Sequence, residues 1–213
     1  MSALYQYIDT NQKLELVCEK LSQSKAIAVD TEFVREDTFY PKPGLVQIAA
    51  DGQTFLIDPL TINQWQPLQT LLTDPNTLKV MHSCSEDLEL FQHWLKLRPT
   101  PLADTQIAAA FVDMGLSPGY QSMVGELVGV TVDKGETRSN WLQRPLRDSQ
   151  CHYAAMDVVH LMQCYDILVD KLKEKGVWQW FSEDMLRLAE PKPALEPELA
   201  YTQMKNAWRL QGK

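Results

Sequence analysis

An apolar run that ends in two carboxylates constrains the fold of this chain more than any other feature. Residues 26–33 read Ala-Ile-Ala-Val-Asp-Thr-Glu-Phe, a composition typical of a buried β-strand. Alternate strand side chains point to the same face, so Asp30 and Glu32 project together from one side of the strand. Two like charges beside a core are costly unless a cation lies between them. The pair therefore predicts a covered sheet with a metal site at the end of one strand.

Length and composition exclude several classes of protein. The chain has 213 residues, of which 45% are hydrophobic and 23% charged, and this suits one large globular domain with a core. No apolar stretch approaches the roughly 18 residues of a membrane span. The first residues lack the basic start and apolar centre of a signal peptide, so we expect a cytoplasmic protein without a membrane partner. The four cysteines form no Cys-x-x-Cys pair, which argues against a disulfide framework or a zinc site.

The overall charge is less informative than the charge of single segments. A formal net charge of −8 argues by itself against a nucleic-acid-binding protein, because phosphate contacts need Lys and Arg. However, carboxylates that surround divalent cations are neutralised in a working site. Residues 133–147 carry four Lys or Arg against two acids and form a local basic segment. Net charge therefore does not exclude an RNA or DNA substrate.

Hydrophobic periodicity and turn residues predict an α/β protein with a mixed five-stranded sheet. An Asp51-Gly52 pair between two apolar runs favours a hairpin. Strands that alternate with helices follow it, so antiparallel hairpins should adjoin parallel strands, with helices on the faces. The predicted strands are 26–33, 45–50, 54–58, 78–82 and one near Leu102. The predicted helices lie within 1–23 and at 64–73, 83–95, 104–112, 120–128, 149–173 and 177–189.

The C-terminal part of the sequence predicts a domain boundary. Residues 190–198 are proline-rich and acidic, as expected for a linker. Residues 199–213 begin a helical pattern with too little apolar surface to fold alone. We therefore expect one domain over residues 1–189, a linker over 190–198 and the start of a truncated helical domain over 199–213.

Two further groups of polar residues can act together with the first pair. Asp87 lies in the first turns of a helix that Ser83 and Glu86 open as a capping box, so helix capping is its alternative role. Tyr153 and Asp157 are four residues apart and share a helix face, although such surface pairs are common. Together with the strand pair, they supply four carboxylates and a phenol. Magnesium takes oxygen ligands, and four carboxylates suit two ions held ~3.5–4 Å apart.

Three ordered motifs resemble those of the Asp-Glu-Asp-Asp exonuclease superfamily. They are Val-Asp-Thr-Glu-Phe at 29–33, His-Ser-Cys-Ser-Glu-Asp-Leu-Glu at 82–89 and Tyr-Ala-Ala-Met-Asp at 153–157. The Tyr-x-x-x-Asp form of the third motif marks the tyrosine subclass. Segments between the motifs, such as Gly-Leu-Val-Gln-Ile at 44–48, extend the likeness. The chain thus resembles the bacterial ribonuclease D family over roughly residues 3 to 190.

The resemblance implies a ribonuclease-H-like fold and a hydrolytic 3′→5′ exoribonuclease. Such an enzyme releases nucleoside 5′-monophosphates from RNA 3′ ends, including those of tRNA precursors and other structured RNAs. The resemblance also implies two divalent cations, Mg²⁺ or Mn²⁺, held by Asp30, Glu32, Asp87 and Asp157. Tyr153 would orient the attacking water. Members of the family usually carry a further helical domain that binds nucleic acid.

Five residues are weaker candidates for substrate contact: Phe33, Gln47, Lys134, Arg138 and Trp141. Phe33 is suited to stack on a terminal base, and Gln47 to hydrogen-bond a sugar or base. Lys134 and Arg138 are suited to hold phosphates. Trp141 fits either a substrate wall or a core anchor. The alternatives are a core role for Phe33, an ordinary strand role for Gln47 and a solvated loop for the two cations.

Three other functions compete with an exoribonuclease. A DNA 3′→5′ exonuclease of the proofreading or Werner type has the same motifs, although the segments between them favour RNA. A non-catalytic RNA-binding adaptor on the same fold would be expected to lose a carboxylate, whereas this sequence keeps all four and the tyrosine. An unrelated metal-dependent phosphatase is the most remote alternative.

Overall fold

The computed structural model describes residues 4–36, 38–133, 135–136 and 139–191. Lys134, Arg138, most of the predicted linker and the whole segment 199–213 lie outside these ranges. The predicted division into a domain, a linker and a truncated second domain therefore stays a prediction.

Six strands form one mixed sheet in the order β1-β4-β3-β2-β5-β6. The strands are β1 (Gln6–Ile8), β2 (Ala26–Val34), β3 (Lys42–Ala50), β4 (Gln53–Ile57), β5 (Leu78–Met81) and β6 (Leu102–Asp104). The pairs β2–β3 and β3–β4 are antiparallel, whereas β1–β4, β2–β5 and β5–β6 are parallel. The mixed α/β class is confirmed, but the predicted count of five strands is wrong. The missed strand, β1, is three residues long and is defined by its distant pairing with β4.

Helices surround this sheet in the described part of the chain. They are α1 (Asn11–Leu21), α2 (Gln66–Thr73), α3 (Ser85–Trp94), α4 (Thr105–Phe111), α5 (Tyr120–Val128), α6 (Asp148–Val159), α7 (Leu161–Glu174) and α8 (Trp178–Ala189). The prediction of one continuous helix over 149–173 is wrong, because the chain breaks at His160 between α6 and α7. The break lets α6 lie over β2, β3 and β4 while α7 packs on α4, α5 and β5. No helix among the described residues is both long and apolar enough to cross a membrane. The cytoplasmic localisation stays a prediction.

The two faces of β2 pack against different apolar clusters. Its residues Ile27 and Val29 are fully buried on one face and belong to the large hydrophobic core. A smaller apolar cluster lies beneath α6 and contains Leu45, Leu56 and Trp141. This second cluster fixes α6 against the face of the sheet from which Asp30 and Glu32 project.

Candidate active site

The first two carboxylates lie on one face of β2, as the strand alternation predicts. Their partners across the antiparallel pairing are Gln47 opposite Asp30 and Leu45 opposite Glu32. The register shifts directly after Glu32, so a bulge interrupts the pairing beside the carboxylates before it resumes at Phe33 and Pro43. Bulges of this kind re-aim side chains at the edges of functional sites.

The third carboxylate reaches this pair from α6. Ala154 on that helix is fully buried, and its small side chain allows the helix to approach the sheet closely. Carboxylate oxygens of Asp30, Glu32 and Asp157 lie within 4.8 Å of one another. The Oδ1 atom of Asp157 is buried and has no hydrogen-bond partner in the described part of the chain. The structure thus joins three of the four predicted metal ligands.

The fourth predicted ligand, Asp87, lies on α3 near these three carboxylates. Its carboxylate is buried and accepts a hydrogen bond from the Thr31 hydroxyl. The charge of Asp87 raises the pKa values of Asp30 and Glu32, which places it within electrostatic reach of both. Sequence reasoning missed Thr31, although a hydroxyl residue between the two carboxylates on the strand is a visible signal.

The start of α3 differs from the predicted capping box. Ser83 has a positive φ of 57° and does not cap the helix with its side chain. Instead, Asp104 accepts hydrogen bonds from the backbone N–H groups of Ser83 at 3.0 Å and Cys84 at 2.9 Å. Asp104 also caps α4 through the Gln106 N–H at 2.8 Å. One buried carboxylate therefore holds the starts of two helices and fixes the helix that carries Asp87.

We call the side chains of Asp30, Glu32, Asp87 and Asp157 together the carboxylate group. This group has little positive charge around it. None of its four members has a Lys or Arg ion pair within the described ranges. Burial raises the pKa of Asp157 to about 7, although a hydrogen bond from Tyr153 opposes the shift. Burial also raises the pKa of Asp87 to about 6. Burial and the neighbouring carboxylates raise the pKa values of Asp30 and Glu32 well above their usual range. Such a group retains protons near neutral pH until a cation replaces them.

Tyr153 lies one helical turn before Asp157 and is supported by Trp141. The ring centroids of Tyr153 and Trp141 are 6.3 Å apart. Trp141 is only 2% exposed and packs in the small apolar cluster under α6. A Cβ atom at Gly44 would lie 2.6 Å from the Trp141 Cβ, so glycine is required there for the indole to pack.

The whole arrangement matches a known family. A family model described as 3′-5′ exonuclease matches residues 5–173, which is most of the chain. The chain belongs to the 3′-5′ exonuclease family. This family is divalent-metal dependent, which agrees with the cluster of acidic residues.

Individual members of the 3′-5′ exonuclease family are also similar. Ribonuclease D of Serratia proteamaculans is 44% identical over 207 residues, covering 97% of this chain and 56% of that protein. The crystal structure of Escherichia coli RNase D superposes with a TM-score of 0.87 at 42% identity, covering 97% of this chain and 56% of that one. The catalytic core of RRP6 from Trypanosoma brucei gives a TM-score of 0.82 at 28% identity, over 92% of this chain and 55% of that one. The resemblance to ribonuclease D is confirmed, and the chain spans about half the length of these relatives.

The basic segment of this exonuclease-family chain is largely neutralised where the structure describes it. Arg144 donates from Nε and Nη2 to the two carboxylate oxygens of Asp58, both at 2.7 Å, and from Nη2 to the Gly44 carbonyl at 2.7 Å. Tyr7 also donates to Asp58 at 2.7 Å. We call Tyr7, Asp58 and Arg144 the arginine clamp. It ties the chain around Trp141 to β3 and β4 and is structural.

The remaining substrate candidates differ in accessibility. Arg147, which also belongs to the basic segment 133–147, pairs with Glu136 at 2.7 Å. Gln47 is fully buried, and Trp141 nearly so, and this burial favours a supporting role for both. Phe33 is partly exposed.

A groove of about 570 Å³ lies between the end of the β2–β3 connection and the end of α3. Its lining comprises residues 38–41 of the β2–β3 connection, the first two residues of β3, and His93 and Trp94. Tyr40 stacks on His93 with ring centroids 3.7 Å apart and remains 40% exposed. The groove therefore presents an aromatic surface next to the strand that carries Glu32.

Proposed function

We propose that this chain is the catalytic part of a divalent-metal-dependent 3′→5′ exoribonuclease. The observation that carries the proposal is the partly buried group of carboxylates on β2 and α6, which has no cationic partner within the described ranges. Membership of the 3′-5′ exonuclease family supports the reaction type. The similar Escherichia coli RNase D is described as an exoribonuclease involved in structured RNA processing, which supports RNA as the substrate class. We accordingly propose 3′ ends of tRNA precursors or other structured RNAs as substrates.

The donor set fits a hard divalent cation. Mg²⁺ binds oxygen at about 2.0–2.1 Å, so two oxygens on one ion lie up to roughly 4 Å apart. The oxygens of Asp30, Glu32 and Asp157, within 4.8 Å of one another, need only small side-chain rotations to reach that separation. The buried Oδ1 atom of Asp157 accepts no hydrogen bond from the described residues and is therefore available to a cation. We propose that these three residues and Asp87 hold two cations, Mg²⁺ or Mn²⁺.

The bound cations and Tyr153 have different roles in the proposed hydrolysis. Bound cations supply a lower pKa for the attacking water and offset charge on the attacking and leaving oxygens. Tyr153, hydrogen-bonded to Asp157, orients the water toward the last phosphodiester. The water oxygen bonds to phosphorus, the bond from phosphorus to the penultimate O3′ breaks, and the proton that the water gives up ends on that O3′ oxygen. The products are a nucleoside 5′-monophosphate and an RNA shortened by one nucleotide.

We assign substrate binding to residues that have accessible surface or lie outside the described ranges. We propose that Phe33 stacks on a base near the 3′ end, because it is partly exposed and follows Glu32 directly. Lys134 and Arg138 keep their proposed role as phosphate contacts. Trp141 is reassigned to supporting Tyr153, because its indole is buried.

The test is a nuclease assay on matched substrates. RNA and DNA single strands of the same sequence, labelled at the 5′ end, are incubated with the protein and Mg²⁺ or Mn²⁺. We expect stepwise shortening of the RNA from its 3′ end, release of 5′-monophosphates and full inhibition by a chelator. In Asp30→Asn, the rate should fall by roughly 1,000-fold or more, because the site loses charge needed for the cations.

A matched variant makes this assay decisive. Asp113→Asn is the same chemical change at a side chain that is 81% exposed and pairs with Lys175 away from the site. It should keep the wild-type rate. No hydrolysis of either polymer by the wild type would overturn the enzyme proposal, and faster hydrolysis of DNA would overturn the RNA assignment.

A further inference from the structure

Gln47 is an anomaly in the middle of the sheet. Its side chain is fully buried in β3, and neither Oε1 nor Nε2 has a hydrogen-bond partner within the described ranges. An amide brings two N–H donors and a carbonyl acceptor, and leaving these groups unpaired in the interior destabilises a fold. Native proteins seldom keep such a residue without a reason, since an apolar side chain of the same size would be more stable.

The position of Gln47 points to that reason. It lies directly across from Asp30 on β2 and from Leu56 on β4. Side chains directly opposite in a sheet share a face and are close neighbours. The helix α6, which carries Tyr153 and Asp157, packs over these same three strands. The unpaired amide therefore lies between the sheet and α6, beside the carboxylate group.

The chemistry of the surroundings selects the role. Asp30 has three carboxylates as electrostatic neighbours, and an ionised carboxylate only accepts hydrogen bonds. A carboxylate that binds a cation through one oxygen is commonly oriented by a hydrogen bond to the other. The Nε2 group of Gln47 is a neutral donor next to this acceptor.

We propose that Gln47 is a positioning residue of the metal site, whose amide donates to Asp30 in the metal-bound protein and holds that carboxylate in its metal-binding orientation. The inference rests on the proposed function, because it requires Asp30 to bind a cation. It replaces the earlier hypothesis that Gln47 touches a sugar or base, since a fully buried side chain under α6 does not reach an RNA strand.

The test uses Gln47→Met, which keeps the size of the side chain and removes its polar groups. The metal-free variant should unfold a few degrees above the wild type, because two unpaired polar groups leave the interior. Its affinity for Mn²⁺, measured by calorimetric titration of the metal alone, should fall by about 10–100-fold. The Mn²⁺ concentration that half-saturates RNA hydrolysis should rise by the same factor. Gln47→Leu provides a second variant if the first does not fold.

A matched control separates this role from a general effect of losing an amide. Gln69 on α2 donates to the Leu95 carbonyl at 3.0 Å and lies outside the metal site. Gln69→Met should leave Mn²⁺ affinity unchanged and should not raise the unfolding temperature. Wild-type Mn²⁺ affinity in both Gln47 variants would overturn the inference, and so would a change confined to the KM for RNA. By contrast, an absence of Mn²⁺ binding in the wild type would overturn the proposed function itself.

Discussion

Two groups of buried acids in this molecule have opposite electrostatic environments. Asp58, whose side chain is 2% exposed, is neutralised in the arginine clamp by two contacts of 2.7 Å from Arg144 and one of 2.7 Å from Tyr7. Burial by itself would raise the pKa of Asp58, but these hydrogen bonds bring it below its usual range. The carboxylates around Asp157 have no such cation within the described ranges, and burial raises the pKa of Asp157 to about 7.

The difference between the two groups separates structure from function. The clamp shows that this fold is able to neutralise a buried acid with a well-placed arginine. No Lys or Arg among the described residues pairs with the carboxylate group, although burial makes an unpaired carboxylate costly. A protein retains carboxylates without a Lys or Arg partner where they bind an external cation, as at catalytic sites.

The largest effect is expected from disrupting the arginine clamp. Arg144→Met leaves Asp58 buried without its cation, so the free energy of unfolding should fall by about 3–5 kcal/mol. Urea denaturation at neutral pH measures the change. The control is Arg187→Met on α8, where the arginine is 71% exposed and pairs with Asp184. That variant should lose at most about 0.5 kcal/mol. Equal losses at the two positions would mean that the clamp is not a buried structural pair.

The second largest effect is expected from removing the hydrogen bond between Tyr153 and Asp157, which lowers the pKa of Asp157. Tyr153→Phe should lower the rate of RNA hydrolysis by roughly 100-fold, because the attacking water loses its orienting phenol. Metal affinity should change little, since the carboxylates remain. Single-turnover hydrolysis at saturating Mn²⁺ measures the rate. Tyr165→Phe on α7 is the control and should keep full activity. A fully active Tyr153→Phe would remove the water-orienting role.

The sequence predicted those features that follow from local periodicity. The buried positions of α1, namely Leu14, Val17, Cys18 and Leu21, are the ones that its helical spacing indicates. The Asp51-Gly52 turn has the positive φ angles of 50° and 73° that a two-residue hairpin requires. Such signals arise within one element, so they are visible without knowledge of the partner. The short β1 was missed because its strand character comes from pairing with β4, about 50 residues away.

The same distinction applies to the candidate site. Strand alternation predicts that Asp30 and Glu32 share a face, whereas the meeting of β2, α3 and α6 was expected from the resemblance to ribonuclease D. The supporting contacts were missed, because their partners are far apart in sequence. Thr31 and Asp87 are separated by 56 residues and Asp58 and Arg144 by 86. No spacing rule joins residues at such distances, and in the sequence Arg144 is simply one of the cations of the basic segment 133–147.

The smallest expected effect is a change of stability with pH in the metal-free protein. The folded chain holds protons on Asp157, with a pKa of about 7, and on Asp87, with a pKa of about 6, whereas the unfolded chain has released them at lower pH. The free energy of unfolding should therefore decrease as the pH rises from 5.5 to 8, since the folded state binds more protons in that range. Asp157→Asn should flatten this decrease and should have a higher free energy of unfolding than the wild type at pH 8. Asp58→Asn should instead lower stability at the same pH, because it weakens the clamp, and the exposed Asp113→Asn should leave the pH dependence unchanged. Chelator-treated samples unfolded in urea at each pH measure the three differences. A wild-type slope in Asp157→Asn would show that the carboxylate group is not short of positive charge, and the contrast between the two buried groups would not hold.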